Sequence, residues 1–347
     1  MRRLGVRLSI GLLLLAGGCR PRVQEEAPSA RAEPGAQSFN EPIRAVAQTR
    51  PAMPGLATLG GKLFADPRLS ADGTVSCASC HRLDHGGADV VPYSTGVHGR
   101  HPSVNTPSVF NLGAVRGFGW YGVVPSLEAE IEVDLSAVDR MGNAPDEVAQ
   151  RLVALPEYRQ AFADASARLG FAPPATLTAA LCAYVETLVT VDAPVDKYVE
   201  TPPWHEADRD AVLPWLDGGL GYVIFKQYGC PSCHQGANIG GNVLQKVTLH
   251  DAYAAIPELK IPDRETDPLR FIATHLPEDR HVIRVPSLRN VAATAPYFHD
   301  GSAATLEDAI RAEGLNQLGH KLNDSDVEEL ARFLRKTSGS MREAALP

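Results

Sequence analysis

Apolar residues recur at helical spacing along much of the chain, separated by stretches dense in Gly, Pro, Ser and Asn. The stripe of Leu59, Leu63 and Phe64 predicts a helix that ends at Asp66-Pro67. Further helices are predicted over 144–155, opened by Asn143 and Pro145, over 157–169, and over 176–191, closed by Pro194. A break is expected at Thr201-Pro-Pro-Trp204. Beyond it, helices over 212–228, 305–313 and 324–336 repeat the plan of the first half. Residues 73–111 and 236–290 carry no sustained period and predict mostly irregular backbone.

The N-terminus follows a different logic. Arg2, Arg3 and Arg7 precede an apolar run, 8–16, which ends Ala16-Gly17-Gly18-Cys19. Basic, then apolar, then small is the order of an export signal, and the run is too short for a permanent membrane helix. A cysteine directly after small residues resembles a bacterial lipobox, which would put a lipid anchor on Cys19. An ordinary signal peptide with an incidental cysteine is the alternative. On this reading residues 1–18 are a lipoprotein-type signal and 19–52 a flexible, Pro- and Glu-rich tether. Residues 53–204 and 205–340 are two globular domains, and the mature protein is periplasmic, touching membrane only through its N-terminus.

The chemistry is carried by Cys77-Ala-Ser-Cys80-His81 and by its second copy, Cys230-Pro-Ser-Cys233-His234. C-x-x-C-H is the attachment pattern of c-type haem: both thiols bind the porphyrin covalently and the adjacent histidine ligates the iron. A four-thiolate zinc site would have no need of either histidine and would join cysteines far beyond ribbon spacing. Two covalent haems on one chain imply electron transfer or redox catalysis. Cys182, on an apolar run, reads as a buried small hydrophobe.

Composition adds little but excludes something. The formal charge of −8 argues against nucleic acid. It would suit a docking face for a small basic electron donor.

With those residues in place, the chain resembles the bacterial di-haem cytochrome c peroxidases, the family that includes MauG. The match spans about 56–340 and rests on Leu59-Gly-Gly-Lys-Leu-Phe64, Asp66-Pro-Arg-Leu-Ser70, Gly86-Gly-Ala-Asp89 and Asn105-Thr-Pro107 with Asn111. In the second half it rests on Asn238-Ile-Gly-Gly241, Val285-Pro-Ser-Leu-Arg-Asn-Val291, Thr294-Ala-Pro-Tyr-Phe-His-Asp-Gly301 and Gln317-Leu-Gly319. The resemblance implies a mostly α fold of two cytochrome c-like domains side by side, with a peroxide site at the N-terminal haem. The C-terminal haem would take electrons from a small cytochrome c or cupredoxin. It also implies that His81 and His234 are proximal ligands, that Trp120 lies between the haems, and that Asn105, Thr294 and Pro296 hold calcium at the domain interface. His98, in a loop, would be the resting sixth ligand of the N-terminal haem. Against these stand plain core packing for Trp120 and a solvated side chain for His98. Family members are often homodimers.

Two departures fall on chemistry. The family's distal glutamate aligns with Arg140, which cannot exchange a proton although it can stabilise a departing anion. Asp139, Asp134 or Glu132 could carry the proton in its place, and Arg140 could instead be an exposed residue. Second, the place of the methionine that ligates the C-terminal haem falls on Glu313. The predicted helix opens at Thr305, with Asp308 completing a capping box. Leu306, Ala309 and Ile310 form its apolar stripe, with Glu313 on the same face and Gly314 as terminator. A carboxylate facing a core is costly unless paired or bound to metal, so Glu313 is read as a ligand of the C-terminal haem, against an arginine partner such as Arg284 or a frayed, solvent-reaching helix end. The readings are therefore a hydrogen peroxide-reducing enzyme, a MauG-like oxidase acting on a partner protein, and an electron carrier or sensor without turnover.

Overall fold

The computed structural model describes residues 41–47, 53–200, 218–247 and 269–341. The expected signal, Cys19, most of the expected tether, the break expected at Thr201–Trp204 and the start of the helix predicted over 212–228 lie outside the described residues. Each half is built on a crossing of two helices. In the first, α1 (Pro54–Phe64) starts with a proline at its first turn, buries Leu56, Leu59, Leu63 and Phe64, and crosses α5 (Pro173–Val185). At the crossing, a Cβ placed on Gly60 would stand 1.8 Å from the Ala180 carbonyl oxygen. Between them run α2 (Leu127–Ser136), α3 (Pro145–Val153) and α4 (Pro156–Leu169).

The second half repeats the device. Helix α7 (Gly219–Gln227) crosses α9 (Asp324–Arg335), and a Cβ on Gly221 would stand 1.9 Å from the Glu329 carbonyl oxygen. Helix α8 (Leu306–Leu318) packs on α9. A short helix α6 (Pro194–Glu200) joins the halves. Two small antiparallel ladders complete the fold: β1 (Thr190–Val191) with β4 (Ser340–Met341), and β2 (Leu244–Lys246) with β3 (Val282–Arg284).

Several predicted boundaries move, for local reasons. The helix expected over 176–191 starts earlier, because Pro173 suits a first turn. It stops at Val185, where the Thr187 hydroxyl takes the Tyr184 carbonyl at 2.6 Å and Thr190 turns into β1. Thr305 does cap α8, accepting the Asp308 amide at 3.1 Å. Gly314 does not end that helix; Leu322 packs where its Cβ would be, and Gly319 is the left-handed terminator. Asn143 caps nothing and donates instead to the Leu69 carbonyl at 3.2 Å.

One apolar core runs from Leu56 to Leu188 and the other from Ala193 to Leu334, joined by Ile43. The division between cores therefore falls at β1, before residue 201. Cys182 is fully buried in the first half. Among the described residues no helix is long and apolar enough to cross a membrane.

Candidate active site

Each C-x-x-C-H motif forms a single tight turn. Ser76 and Ser79 cap the Cys77–Cys80 turn reciprocally, the Ser76 amide donating to Ser79 Oγ at 2.9 Å. His81 closes it with an amide bond to the Cys77 carbonyl (2.8 Å), and its Nδ1 lies 3.2 Å from the Gly87 carbonyl. In the second copy the His234 amide donates to the Cys230 carbonyl (2.9 Å), and Nδ1 lies 3.3 Å from the Ile239 carbonyl. A ring held through Nδ1 offers Nε2 to a metal.

Cys77, Cys80 and His81 line one cavity, and Cys230, Cys233 and His234 line another. That separation rules out a zinc site shared by the four thiols. Burial pushes the Cys77 and Cys230 thiols up to about 12 and lowers both imidazoles, His234 to about 4. Two separate, largely apolar clefts, each with one C-x-x-C-H turn on its wall, fit one covalent haem apiece.

A second repeat, not evident from the sequence pattern, supports both rings. Pro107-Ser-Val-Phe-Asn111 and Pro286-Ser-Leu-Arg-Asn290 share the pattern P-S-x-x-N. Ser108 Oγ donates to the Gly86 carbonyl (2.5 Å) and accepts the Phe110 amide. Ser287 Oγ donates to the Asn238 carbonyl (2.9 Å) and accepts the Arg289 amide. The Pro107 and Pro286 backbones hydrogen-bond their own histidines. Comparing the two halves for short shared strings would have found this pair.

Trp120 and Arg284 line both cavities. The indole Nε1 donates to the Asn105 carbonyl at 2.7 Å, and the Trp120 carbonyl accepts the Arg284 amide at 3.0 Å. The indole meets the His299 ring edge-on, with centroids 6.2 Å apart. Arg284 Nε donates to the Gly119 carbonyl at 2.9 Å. Burial lowers the Arg284 guanidinium, against the pull of the Glu130 charge.

The polar wall of the N-terminal cavity comes from α2, a helix the apolar pattern did not predict. Four acidic residues interrupt the spacing of Leu127, Ile131 and Leu135. The legible signal was Ser126, which caps the helix by accepting the Ala129 amide at 3.2 Å. Glu130 and Asp134, one turn apart, line the cavity, and Arg140 returns to the same wall to pair with Asp134. Arg140 is thus a cavity residue, not a surface one. Of the suggested proton carriers, Glu132 is exposed, and neither it nor Asp139 lines the cavity.

Glu130 was missed altogether. Its Oε2 is buried without a hydrogen-bond partner. Burial, then the Asp134 charge, push its carboxyl up to about 7, while Arg140 and Arg284 pull the other way.

The structure does not bring His98 to either cavity. Its side chain is 60% exposed, and Asp72 holds the residue outward, accepting the His98 amide at 2.8 Å with Nδ1 3.4 Å away. Glu313 lines the C-terminal cavity, as do Asn105, Thr294 and Pro296, while among the described residues no methionine does. The Asn105 side-chain amide donates to the Val91 and Pro92 carbonyls at 3.0 and 3.1 Å. Among the described residues no group of three or more His, Cys, Asp or Glu is placed to hold a metal ion.

Two c-cytochrome-like halves sharing one tryptophan define a di-haem redox protein. The model of the di-haem cytochrome c peroxidase family matches residues 54–202. The chain is 34% identical over 320 residues to a cytochrome c551 peroxidase of Nitrosomonas europaea, covering 91% of this chain and 90% of the relative. It is 36% identical over 296 residues to a cytochrome c551 peroxidase of Pseudomonas aeruginosa, covering 83% and 80%. A MauG-like protein associated with microbial copper homeostasis has a similar structure, with TM-score 0.67 and 25% identity, covering 88% of this chain and 95% of that one. The chain belongs to the di-haem cytochrome c peroxidase family, a divergent member with two c-type haems and oxidoreductase function.

Proposed function

We propose that the protein reduces hydrogen peroxide to water in the periplasm, at the His81 cavity, with electrons from a small cytochrome c or cupredoxin. The observation that carries this reading is the polar trio Glu130, Asp134 and Arg140, set in the otherwise largely apolar wall of the cavity that His81 lines. A bound haem supplies the electron transfer and the peroxide-cleaving metal centre. The chain's own residues do the rest. His81 and His234 present neutral rings, each oriented through Nδ1. Arg140, fixed by Asp134, offers positive charge to a leaving oxygen. Trp120, on both walls, is the relay between the cavities.

Finer features belong to the same reading: a lipid anchor on Cys19, a homodimer, calcium held by Asn105, Thr294 and Pro296, and His98 as an inward ligand in another state of its loop. Steady-state peroxide consumption with a reduced small cytochrome c, followed by its absorbance, tests the reading. No oxidation of any such donor, or of a reduced cupredoxin, would overturn it.

A second reading, a MauG-like oxidase acting on a protein, is favoured by Glu313 standing in the His234 cavity where no methionine is found. Stopped-flow mixing of half-reduced protein with peroxide separates the two. Rapid return in the presence of donor supports peroxide reduction, and a long-lived oxidised state supports the oxidase.

A further inference from the structure

We infer that Glu130 is the acid–base residue of the N-terminal cavity, taking over the proton transfer that Arg140 cannot perform. The inference rests on the peroxide-reducing reading above. Three carboxylates near the cavity were candidates by sequence, and geometry removes them. Glu132 is exposed on the far side of α2, Asp139 is not on the wall, and Asp134 is engaged by Arg140. Glu130 remains: it lines the cavity one turn before Asp134, and its Oε2 has no hydrogen-bond partner. A buried carboxyl oxygen without a partner is costly, and a bound peroxide in the cavity would supply the missing one.

The charged and titratable groups on that wall are few. Asp134 faces Glu130 from the same helix, Arg140 from the loop after it, and Arg284 from β3; among the described residues Cys77, Cys80 and His81 complete the set. Burial and Asp134 favour the protonated acid, the two arginines the carboxylate, and the balance lies at about 7. A group so placed can both accept and return a proton near neutral pH.

The step balances as hydrogen peroxide plus two electrons plus two protons giving two waters. The O–O bond breaks. Glu130 takes a proton from the oxygen that stays and delivers it to the oxygen that leaves as water, beside the Arg140 guanidinium. Two electrons come from the reduced haems, resupplied by a one-electron donor protein, and solvent supplies the remaining two protons.

The test compares holoprotein wild type, Glu130→Gln and Glu130→Asp, with two readouts. The first is peroxide turnover against pH with reduced cytochrome c. The second is difference infrared spectroscopy of the carboxylic acid C=O band across the pH range, which needs no turnover. Glu130→Gln should lose about 10²-fold or more in kcat, keep both haems, lose the ionisation near 7 from the rate profile, and lose the infrared band. Glu130→Asp should restore part of the rate and a shifted ionisation. A Glu130→Gln variant with wild-type rate and pH profile overturns the inference while leaving peroxide reduction intact. Persistence of the infrared band in Glu130→Gln overturns it equally. A wild type that consumes no peroxide overturns both.

Discussion

Asn111 and Asn290 donate side-chain N–H groups to the same oxygen, Thr190 Oγ1, each at 2.9 Å. Each asparagine ends one copy of P-S-x-x-N, and each has a left-handed backbone, φ 59°. The Thr190 amide returns a bond to Asn111 Oδ1 at 2.9 Å, and the Gly339 amide one to Asn290 Oδ1 at 3.1 Å. The two histidine-supporting loops thus meet at one buried hydroxyl in β1.

Thr190→Val keeps the shape and removes the shared acceptor, stranding two buried amides. The expected loss is about 1–3 kcal/mol for each stranded group, read as a lower urea midpoint of the holoprotein. Thr190→Ser should lose much less. Equal midpoints for Val and wild type would show that the hydroxyl does not hold the halves.

Gly60→Ala and Gly221→Ala should each prevent the close approach of their helix pair, since the added Cβ meets backbone oxygen at 1.8 and 1.9 Å. Backbone cannot rotate away as a side chain can, so the cost should reach about 1–3 kcal/mol or more. Thermal unfolding and haem yield read the effect, and a wild-type melting temperature in either variant would contradict it.

Asp66 connects α1 to α4. Its carboxylate accepts bonds from Arg68 and from the Tyr158 hydroxyl (2.7 Å). Burial alone would raise its pKa, but these bonds outweigh it and hold the group below its ordinary 3.8. A depressed carboxylate contributes stability above its unfolded pKa and loses it as pH falls through the folded value. Asp66→Asn should therefore be less stable than wild type at neutral pH, with the gap closing in acid below pH 3.8. A gap independent of pH would mean that packing, not charge, dominates there.

Glu313 faces the His234 cavity from within α8, with a further turn beyond it, so it is not a frayed helix end. We propose Glu313 as a ligand of the haem in that cavity; Glu313→Met would then exchange a carboxylate oxygen, a harder donor that suits ferric iron, for a thioether. Redox titration should show one of two haem potentials raised strongly, with a new methionine-to-ferric charge-transfer band. Superimposable titrations would exclude Glu313 as a ligand.

Pyridine haemochrome assay of protein matured in a periplasm should give two haems per chain. The Cys77→Ala/Cys80→Ala and Cys230→Ala/Cys233→Ala double variants should give one or fewer, and an unchanged ratio in either would contradict covalent attachment there.

The sequence by itself determined what is local. C-x-x-C-H needs only adjacent residues to make its turn, so both haem sites were legible. So were the long amphipathic helices, whose apolar faces recur at their own period. Tertiary structure decided what depends on distant partners. Helix α2 buries too few apolar residues to stand out, and its acidic residues gain meaning only when the fold brings Arg140 and Arg284 against them. Glu130 differs from Glu132 by two positions on one helix, which is enough to put one on the cavity wall and the other in solvent. Gly314 reads as a stop signal until Leu322, from the next turn of chain, packs against it. The outward placement of His98 is set by Asp72, a partner 26 positions away that the loop sequence does not announce. In each case the deciding contact joins residues whose separation along the chain carries no period, and only the folded backbone sets the distance between them.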